Sequence, residues 1–412
     1  MNLGKRPLGL DRMGPRIITR SKPTTATRLR TIAAAALALT AASGAGIALA
    51  NTHSATVNAT PAGLSTELRG LVRMRGGPPG AIVIVQRGRR TAVFPAGVRK
   101  LGSGQAVGPG DYMRLASVSK AFSGAVALAL VDHHVMSLDD TIAQWLPDQP
   151  AAWGKVTLGQ ALHHTSGLPD FSSNKPYGEY VGTHLHARPS PRFLLRFVAK
   201  DKLGFRPGSK FRYSNTDNII VALMAEAATH RTYNQLLAKY VYSPLRLRQT
   251  SLPAGAGIPS PVMRGYDLVP GRPPEDDTSV FSAAYTWASG GIVSTPRELN
   301  RFARGYVGAR LFSRQAQSAQ FRFVSGQSDP VGPGTNAAGL AIFRYRTRCG
   351  TVYGHTGNTL GYTQFFGASR DGSRSVTASF SAQITQVSKG AKAAAFRRLR
   401  SIEVDAICVA LG

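Results

Sequence analysis

Acidic residues, cysteines and metal-binding patterns are scarce in this sequence. Its 412 residues include 21 Asp and Glu and only two cysteines, against 50 Lys and Arg, so the formal net charge is +29. None of the nine histidines stands in an H-E-x-x-H arrangement, and zinc-finger signatures, RNA-binding signatures and internal repeats are absent. We therefore expect no metal, no cofactor and no nucleic-acid partner, although a charge of this size favours anionic surroundings.

The chain also lacks a run that is both long and strongly apolar. The nearest approach is residues 31–50, which carry no charge but are rich in alanine and weakly hydrophobic for a permanent membrane span. They follow a basic segment, residues 1–30, and end in Ala48-Leu49-Ala50, the small-x-small pattern of a cleaved signal. We predict a secretory signal peptide over residues 1–50, with an uncleaved N-terminal anchor as the alternative.

The basic character extends beyond this predicted leader. Residues 1–50 hold eight basic residues and one acidic residue, which leaves 42 basic and 20 acidic residues and a net charge of +22 on the remainder. A charge of this size favours an anionic partner such as an acidic lipid or an anionic wall polymer. Residues 51–65, rich in Ala, Thr and Asn, are predicted to be a linker, and residues 66–412 are predicted to form one domain.

Strand patterns occur near both ends of the predicted domain. Residues 81–85 form a buried-strand pattern, and a basic turn separates them from a second strand near residues 91–94, as in an antiparallel hairpin. Strand patterns return over residues 351–366 and 375–381. The simplest arrangement is one antiparallel sheet built from both chain ends.

Helix patterns occupy the middle and the end of the domain. Large apolar residues recur every fourth position over residues 117–131 and predict a helix with one buried face. Further helix patterns predict a helical insertion over about residues 117–285, and a basic helix is predicted from about residue 389 to 411. The sequence thus predicts an α/β protein of the α+β type, with an antiparallel sheet flanked by helices and an all-helical subdomain.

Ser117-Val118-Ser119-Lys120 is an S-x-x-K tetrad at the start of the first of these helices. A spacing of three places Ser117 and Lys120 on one helix face, about one turn apart. A serine hydroxyl needs a nearby base before it acts as a nucleophile, and a partly buried lysine has a lowered pKa and can be that base. A second S-x-x-K, Ser172 to Lys175, lies in a Ser-, Asn- and Pro-rich segment, and we interpret it as a coincidence of composition.

Two further motifs each occur once in the chain. In Tyr213-Ser214-Asn215, a phenol close to a lysine can relay a proton and an Asn amide can hold a substrate amide. A buried tyrosine followed by an Asn helix cap is the alternative. In His355-Thr356-Gly357, on a strand pattern, glycine lets a ligand approach the backbone closely, with a structural histidine as the alternative.

Taken in order, the three motifs resemble those of the penicillin-recognising serine hydrolases, the superfamily of the class C β-lactamases. Histidine in the third motif departs from the lysine of class C β-lactamases and is similar to secreted D-alanyl-D-alanine carboxypeptidases of the streptomycete type. The resemblance runs from about residue 65 to the C-terminus and implies a β-lactamase/transpeptidase-like fold. Other matching stretches are H-T-S-G-L at residues 164–168, S-L-D-D and L-P within residues 137–147, F-x-P-G at residues 205–208, and S-G-G with S-T within residues 289–295.

The two cysteines, Cys349 and Cys408, both lie near the C-terminus. In an exported protein such an isolated pair favours a disulfide, with two separate thiols as the alternative. The streptomycete-type carboxypeptidases have a cysteine shortly before the third motif and another near the C-terminus. The resemblance therefore implies that Cys349 and Cys408 are bonded to each other.

The resemblance also implies roles for individual residues. Ser117 would attack the scissile carbonyl and form an acyl-enzyme, Lys120 would activate it, and Tyr213 would pass the proton to the leaving amine. His355 would assist Tyr213 through hydrogen bonding and local positive potential. The backbone amides of Ser117 and Asn358 would form the oxyanion hole.

Substrate contacts follow from the same resemblance. Asn215 would hold the acyl-side amide. The terminal carboxylate of a D-alanyl-D-alanine peptide would be met by Thr356 or by one of Arg344, Arg346 and Arg348, which lie on the predicted strand before the third motif. Trp287 would line the acyl side, with a position in the core as the alternative. The substrate-binding residues we predict are Asn215, Thr356, Gly357, Asn358, Trp287 and Arg344.

These expectations combine into one functional hypothesis. The sequence predicts a secreted serine D-alanyl-D-alanine carboxypeptidase that acts through an acyl-enzyme on peptidoglycan stem peptides and is acylated by β-lactams. The alternatives are a β-lactamase or a carboxylesterase of the same fold, and a non-catalytic binder of cell-wall peptides. We expect a monomer that is secreted and associated with the cell wall.

Overall fold

The computed structural model describes residues 59–269 and 271–412. The predicted signal peptide and residues 51–58 of the predicted linker lie outside these residues.

Helix α1, Pro61–Arg73, begins with Thr60 as its N-cap, whose hydroxyl accepts a hydrogen bond from the amide of Gly63. Residues 61–65 are therefore helical, and the prediction that the linker extends to residue 65 is wrong. Proline fits the first turn of a helix, where its missing amide proton has no intrahelical partner.

Helices and loops occupy the described chain between the strands. None of the helices in this part of the chain is long and apolar enough to span a membrane. The helices after α1 are α2 Ser119–Asp132, α3 Ile142–Trp145, α4 Leu158–Leu162, α5 Lys175–Thr183, α6 Pro191–Arg196, α7 Asn215–Thr229, α8 Tyr233–Leu237, α9 Ser243–Leu245, α10 Trp287–Gly290, α11 Pro296–Val307, α12 Arg314–Gln320 and α13 Gly390–Leu411.

Two distant parts of the chain form one antiparallel sheet. The strands are β1 Gly80–Arg87, β2 Arg90–Gly97, β3 Met113–Arg114, β4 Tyr266–Asp267, β5 Glu275–Asp276, β6 Val293–Ser294, β7 Thr335–Gly339, β8 Ile342–Thr347, β9 Gly350–Thr359, β10 Tyr362–Ala368 and β11 Arg374–Phe380. The main sheet has the order β2-β1-β11-β10-β9-β8-β7, and β3 pairs with β6 and β4 with β5 in two separate ribbons. The predicted antiparallel sheet from both chain ends is confirmed.

The main sheet is covered on both faces, and this explains why β1 is a continuous apolar run. Successive residues of β1 belong to different cores: Ile82 packs into the larger core, while Ala81 and Val83 pack into the smaller one. Helices α1 and α13 cover the smaller core, and α11 with the helices between β2 and β7 covers the larger. The C-terminal helix predicted over residues 389–411 is confirmed as α13.

The helical part of the chain is longer than predicted. It lies between β2 and β7, and it includes α11 and α12 beyond residue 285. Helix α2 was predicted to bury one face, but residues 119–130 are buried all round because the helix is packed between α7, α10, α12 and β9. Residues 293–294 form the two-residue strand β6, which lies outside the main sheet.

A disulfide joins Cys349 and Cys408 in the structure, with 5.0 Å between their Cα atoms. Cys349 lies in the turn between β8 and β9, and Cys408 lies in the last turn of α13. The bond therefore connects the sheet to the helix that covers one of its faces.

Candidate active site

Ser117 lies in a short 3-10 turn, Ala116–Val118, immediately before α2. Ala116 has a φ of 51°, in the left-handed region, where a non-glycine residue costs of order 1 kcal/mol. Ser117 itself is 9% exposed and lies at the base of a cleft. A strained turn thus presents this hydroxyl at the start of a buried helix.

Lys120 is completely buried, and its amine lies 3.1 Å from the hydroxyl oxygen of Ser117. The amine also donates to the side-chain oxygen of Asn215 at 2.6 Å and to the carbonyl of Ser289 at 2.7 Å. Burial lowers the pKa of Lys120 to about 7, although nearby carboxylates, that of Asp170 first among them, oppose this shift. A substantial fraction of the amine is therefore neutral near pH 7 and able to accept a proton.

Asn215 is the first residue of α7 and connects Lys120 to a polar loop. Its side-chain nitrogen donates to the hydroxyl of Ser172 at 2.8 Å and to the carboxylate of Asp170 at 3.1 Å. These two acceptors hold the amide with its oxygen toward Lys120. Neither Ser172 nor Asp170 was predicted as a site residue. The run H-T-S-G-L-P-D at residues 164–170 is the sequence feature that could have identified Asp170.

Ser172 lies on the wall of the cleft, but it is not paired with a lysine base. Its hydroxyl donates to Asp170 at 2.9 Å. Lys175 begins α5 and faces solvent, with its amine 3.7 Å from the carboxylate of Glu179. The interpretation of this second S-x-x-K as a coincidence holds for the pair, although Ser172 itself belongs to the site.

The ring of Tyr213 lies beside the lysine, with its centroid 4.9 Å from the amine of Lys120. Its hydroxyl is buried without a hydrogen-bond partner among the described residues, and burial holds the pKa of Tyr213 well above its ordinary value. The ring packs against His164, 4.5 Å away between centroids, and Nδ1 of His164 lies 2.8 Å from the carboxylate of Asp217. His164 is thus a packing residue that supports the ring of Tyr213.

His355 lies on β9 and is completely buried, with its ring centroid 6.4 Å from that of Tyr213. Burial lowers the pKa of His355 to about 3, so the imidazole is neutral. It supplies no local positive potential, and that part of the prediction is wrong. Nδ1 of His355 faces the carbonyl of Thr356, and Nε2 has no hydrogen-bond partner among the described residues. The Tyr213 hydroxyl and His355 Nε2 are thus two buried polar atoms that could each form a hydrogen bond to a bound molecule.

Strand β9 lies directly against the turn that carries Ser117. A Cβ added to Gly357 would meet the carbonyl oxygen of Leu115 at 2.4 Å and the amide nitrogen of Ser117 at 3.2 Å. Only glycine permits this approach, which brings the backbone of β9 close to the Ser117 amide. Asn358 follows on β9 and lines the cleft beside Ser117.

Three of the predicted substrate-binding side chains are engaged elsewhere. The hydroxyl of Thr356 is buried and donates to the carbonyl of Pro330 at 2.7 Å. The guanidinium of Arg344 lies over the ring of Phe323, 4.8 Å from its centroid. Trp287 packs edge-on against Tyr233 at 5.1 Å, which places it against the core and not on the cleft wall.

A cleft that opens to solvent lies beside Ser117. Its polar wall includes Ser117, Ser172, Asn215, Thr286, Asn358 and Thr359. Its apolar wall is formed by Ala116, Phe171, Tyr177, Val181, Phe281 and Leu360. None of the described residues that line it carries a charged side chain.

This arrangement is suited to nucleophilic acyl transfer. The Ser117 hydroxyl can attack a carbonyl because the amine of Lys120, 3.1 Å away, can accept its proton when the amine is neutral. The buried phenol of Tyr213 can then donate a proton to a leaving group. No group of three or more potential metal ligands occurs within residues 59–269 and 271–412.

Comparison with known proteins yields one family and several relatives. The model of the family described as Beta-lactamase matches residues 58–399. The chain is 25% identical over 234 residues to the D-alanyl-D-alanine-carboxypeptidase/endopeptidase AmpH of Escherichia coli, covering 53% of this chain and 58% of that protein. It is 26% identical over 142 residues to Penicillin-binding protein 4* of Bacillus subtilis, covering 34% of this chain and 30% of that protein. The chain thus spans less than two thirds of either relative.

Solved structures share the fold over most of the chain. A D-stereospecific amidohydrolase from Streptomyces sp. superposes with a TM-score of 0.69 at 26% identity, covering 78% of this chain and 94% of that chain. A D-amino acid amidase from Ochrobactrum anthropi superposes with a TM-score of 0.73 at 21% identity, covering 85% and 97%. The predicted fold class and family resemblance are confirmed by these matches.

Proposed function

The chain belongs to the beta-lactamase family of serine hydrolases, and on this premise we propose that it is a D-alanyl-D-alanine carboxypeptidase acylated at Ser117. The observation that carries this proposal is the buried amine of Lys120, 3.1 Å from the Ser117 hydroxyl, with a pKa lowered to about 7. The E. coli relative named as a carboxypeptidase and the Bacillus relative named as a penicillin-binding protein support the substrate class.

The reaction proceeds in two halves. Lys120 takes the proton of Ser117 as the oxygen attacks the penultimate D-alanyl carbonyl, and the amides of Ser117 and Asn358 receive the oxyanion. Tyr213 delivers a proton to the terminal nitrogen, the C–N bond breaks, and free D-alanine leaves. The proton held by Lys120 then passes to Tyr213, so both residues return to their starting state. Water next adds to the acyl-enzyme, the bond between Ser117 and the acyl group breaks, and one proton of the water reaches the Ser117 oxygen as the shortened peptide departs.

A second candidate is the hydrolysis of amides or esters that have an uncharged leaving group. A peptide that ends in D-alanine brings a carboxylate into the site, but the side chains that line the cleft are uncharged. Its aromatic and aliphatic wall suits an apolar acyl side chain instead. The likeness to the D-stereospecific amidohydrolase from Streptomyces supports this candidate.

We extend the proposal to location because of the N-terminal sequence. The basic residues 1–30, the uncharged residues 31–50 and the Ala-x-Ala ending are those of an exported protein. Secretion would bring the enzyme to peptidoglycan stem peptides outside the cell. Detection of a mature chain that begins near residue 51 in the culture medium or wall fraction would test this step.

A substrate panel tests the proposed function. The purified protein and its Ser117→Ala variant are given an N-acylated D-alanyl-D-alanine tripeptide, a D-phenylalanine amide, a chromogenic cephalosporin and a p-nitrophenyl ester. Release of D-alanine as the fastest reaction, abolished by Ser117→Ala, is the expected result. Faster hydrolysis of the amide would favour the second candidate. Failure of fluorescent penicillin and all four substrates to react at Ser117 would overturn both.

A further inference from the structure

Seven arginines surround two adjoining hairpin turns at one end of the main sheet. Strand β1 pairs with β11 so that Arg87 lies opposite Arg374, and Gly88 donates its amide to the carbonyl of Ser373 at 2.7 Å. The β1–β2 turn and the β10–β11 turn are therefore neighbours. We define the arginine cluster as Arg87, Arg89, Arg90, Arg304, Arg310, Arg370 and Arg374.

Helix α11 holds the two turns together. The guanidinium of Arg304 donates to the carbonyl of Gly372 at 3.0 Å and to that of Gly88 at 3.1 Å. Arg310 follows the end of the same helix, and its charge helps to lower the pKa of Arg304, after burial. The cluster is thus built on a fixed scaffold of two turns and a helix end, and its charges do not depend on one mobile loop.

The positive charge of the cluster is poorly compensated. Among the described residues, Arg89, Arg90, Arg310 and Arg370 pair with no carboxylate, and all four are exposed. The one acidic residue in the two turns is Asp371, whose carboxylate accepts hydrogen bonds from the hydroxyl and amide of neighbouring serines. Like charges held this close together attract a partner that carries several negative charges.

The cluster lies far from the candidate active site. Strand β10 begins at Tyr362, beside the end of β9 that lines the cleft, and runs to Ala368 before the turn that carries Arg370. Six steps along a strand correspond to about 20 Å. The cluster is therefore a separate surface, and the inference made from it does not rest on the proposed function.

We propose that the arginine cluster is a docking surface for a flexible linear polymer with repeating phosphodiester groups. The two turns, residues 87–90 and 369–373, contain only Arg, Gly, Ser and Asp, so they lack the apolar side chains that anchor a protein in a lipid surface. The turns also lack aromatic residues on which nucleic-acid bases stack. The ring of Phe321 lies beside the cluster, but the guanidinium of Arg370 lies over it, 5.3 Å from its centroid, and Tyr353 stacks against it. A polymer backbone that offers only closely spaced phosphates matches what the cluster provides.

Two matched triple variants test this proposal on the full-length mature protein. In the first, Arg89, Arg90 and Arg310 are changed to Gln. In the second, Arg196, Arg231 and Arg248, exposed arginines on the helical part of the molecule, are changed to Gln, so the net charge falls equally. Binding of a linear poly(glycerol phosphate) is measured by titration at several salt concentrations for both variants and the wild type.

The first variant should bind the polymer at least tenfold more weakly at low salt, and its slope of log K against log salt should be smaller by about 2, for three lost phosphate contacts. The control variant should keep most of the wild-type affinity, and hydrolysis of a small ester should be the same in all three proteins. An equal loss of polymer affinity in both variants would show that binding depends on the net charge of the protein and not on the cluster, and would overturn the proposal. Tighter binding of duplex DNA or phosphatidylglycerol vesicles than of the polymer, lost in the first variant, would also overturn it.

Discussion

The carboxylate of Asp170 accepts a hydrogen bond from the side-chain nitrogen of Asn215 at 3.1 Å. Because the same nitrogen also donates to Ser172, the oxygen of the amide is turned toward Lys120, which it meets at 2.6 Å. Asp170 therefore acts on the reaction through another residue: it positions Asn215, and its negative charge keeps the pKa of Lys120 from falling further. It is a positioning residue of the site.

The first prediction concerns pH. Lys120 acts as a base only when neutral, so kcat/KM for an uncharged ester should rise with pH through the lysine pKa of about 7. Asp170→Asn keeps an oxygen that accepts from Asn215 but removes the negative charge, so the lysine loses its proton more readily. The rising limb of the profile should therefore move to lower pH. Asp201→Asn, at an exposed aspartate on the surface, is the control, and a limb that stays in place in Asp170→Asn would refute the electrostatic role.

A second prediction separates the base from the fold. Lys120→Met keeps an unbranched side chain in the buried space but removes the amine that contacts Ser117, Asn215 and Ser289. Acylation by fluorescent penicillin should fall by roughly 10³-fold, because general-base assistance is worth about 10²–10⁴-fold. The thermal unfolding midpoint should not show a loss comparable to the loss of acylation, because the variant no longer pays the free-energy cost of burying an amine. Acylation within tenfold of the wild type would remove Lys120 from the mechanism.

The sequence predicted the residues that meet at the centre of the site more reliably than those at its edges. Ser117, Lys120, Tyr213 and His355 belong to short motifs whose order along the chain is specific, and the structure brings all four together. Asp170 was missed because a single acidic residue in a loop has no periodicity and no spacing that connects it to Lys120. Its contact with Asn215 exists only once α7 and the loop before α5 are folded together.

Side-chain direction accounts for the remaining errors. Thr356 and Arg344 lie on predicted strands near the third motif, but neighbours decide whether their polar ends reach the cleft. The hydroxyl of Thr356 donates a hydrogen bond to the carbonyl of Pro330, and the guanidinium of Arg344 lies over the ring of Phe323. In the fold, the first residues of the helix Pro61–Arg73 fall in the predicted linker. The Ala, Thr, Ser and Gly residues of this helix obscure the helical spacing of Leu64, Leu68 and Leu71, which are buried against the sheet.

A third prediction tests the close approach of β9 to the nucleophile. Gly357→Ala would place a Cβ 2.4 Å from the carbonyl oxygen of Leu115, so β9 must move away from Ser117. We expect stability to fall by about 1–3 kcal/mol, as in other overpacked sites. Acylation should fall about 10²-fold, because one oxyanion donor is displaced. Gly110→Ala is the matched control, since a Cβ at Gly110 meets nothing within 4 Å, and equal effects of the two substitutions would contradict the argument.

The last prediction concerns the Cys349–Cys408 bond, which closes a loop with a sequence separation of 59. Cross-linking reduces the conformational entropy of the unfolded chain, and a loop of this length corresponds to about 4 kcal/mol of stability. Replacing both cysteines by serine should lower the free energy of unfolding in urea by about that amount, and reduction of the wild type should reproduce the effect. Acylation at 25 °C should persist, because Cys349 lies in the turn before β9, at the end of that strand opposite the cleft. A double variant as stable as the wild type would show that α13 is held against the sheet by its apolar packing alone.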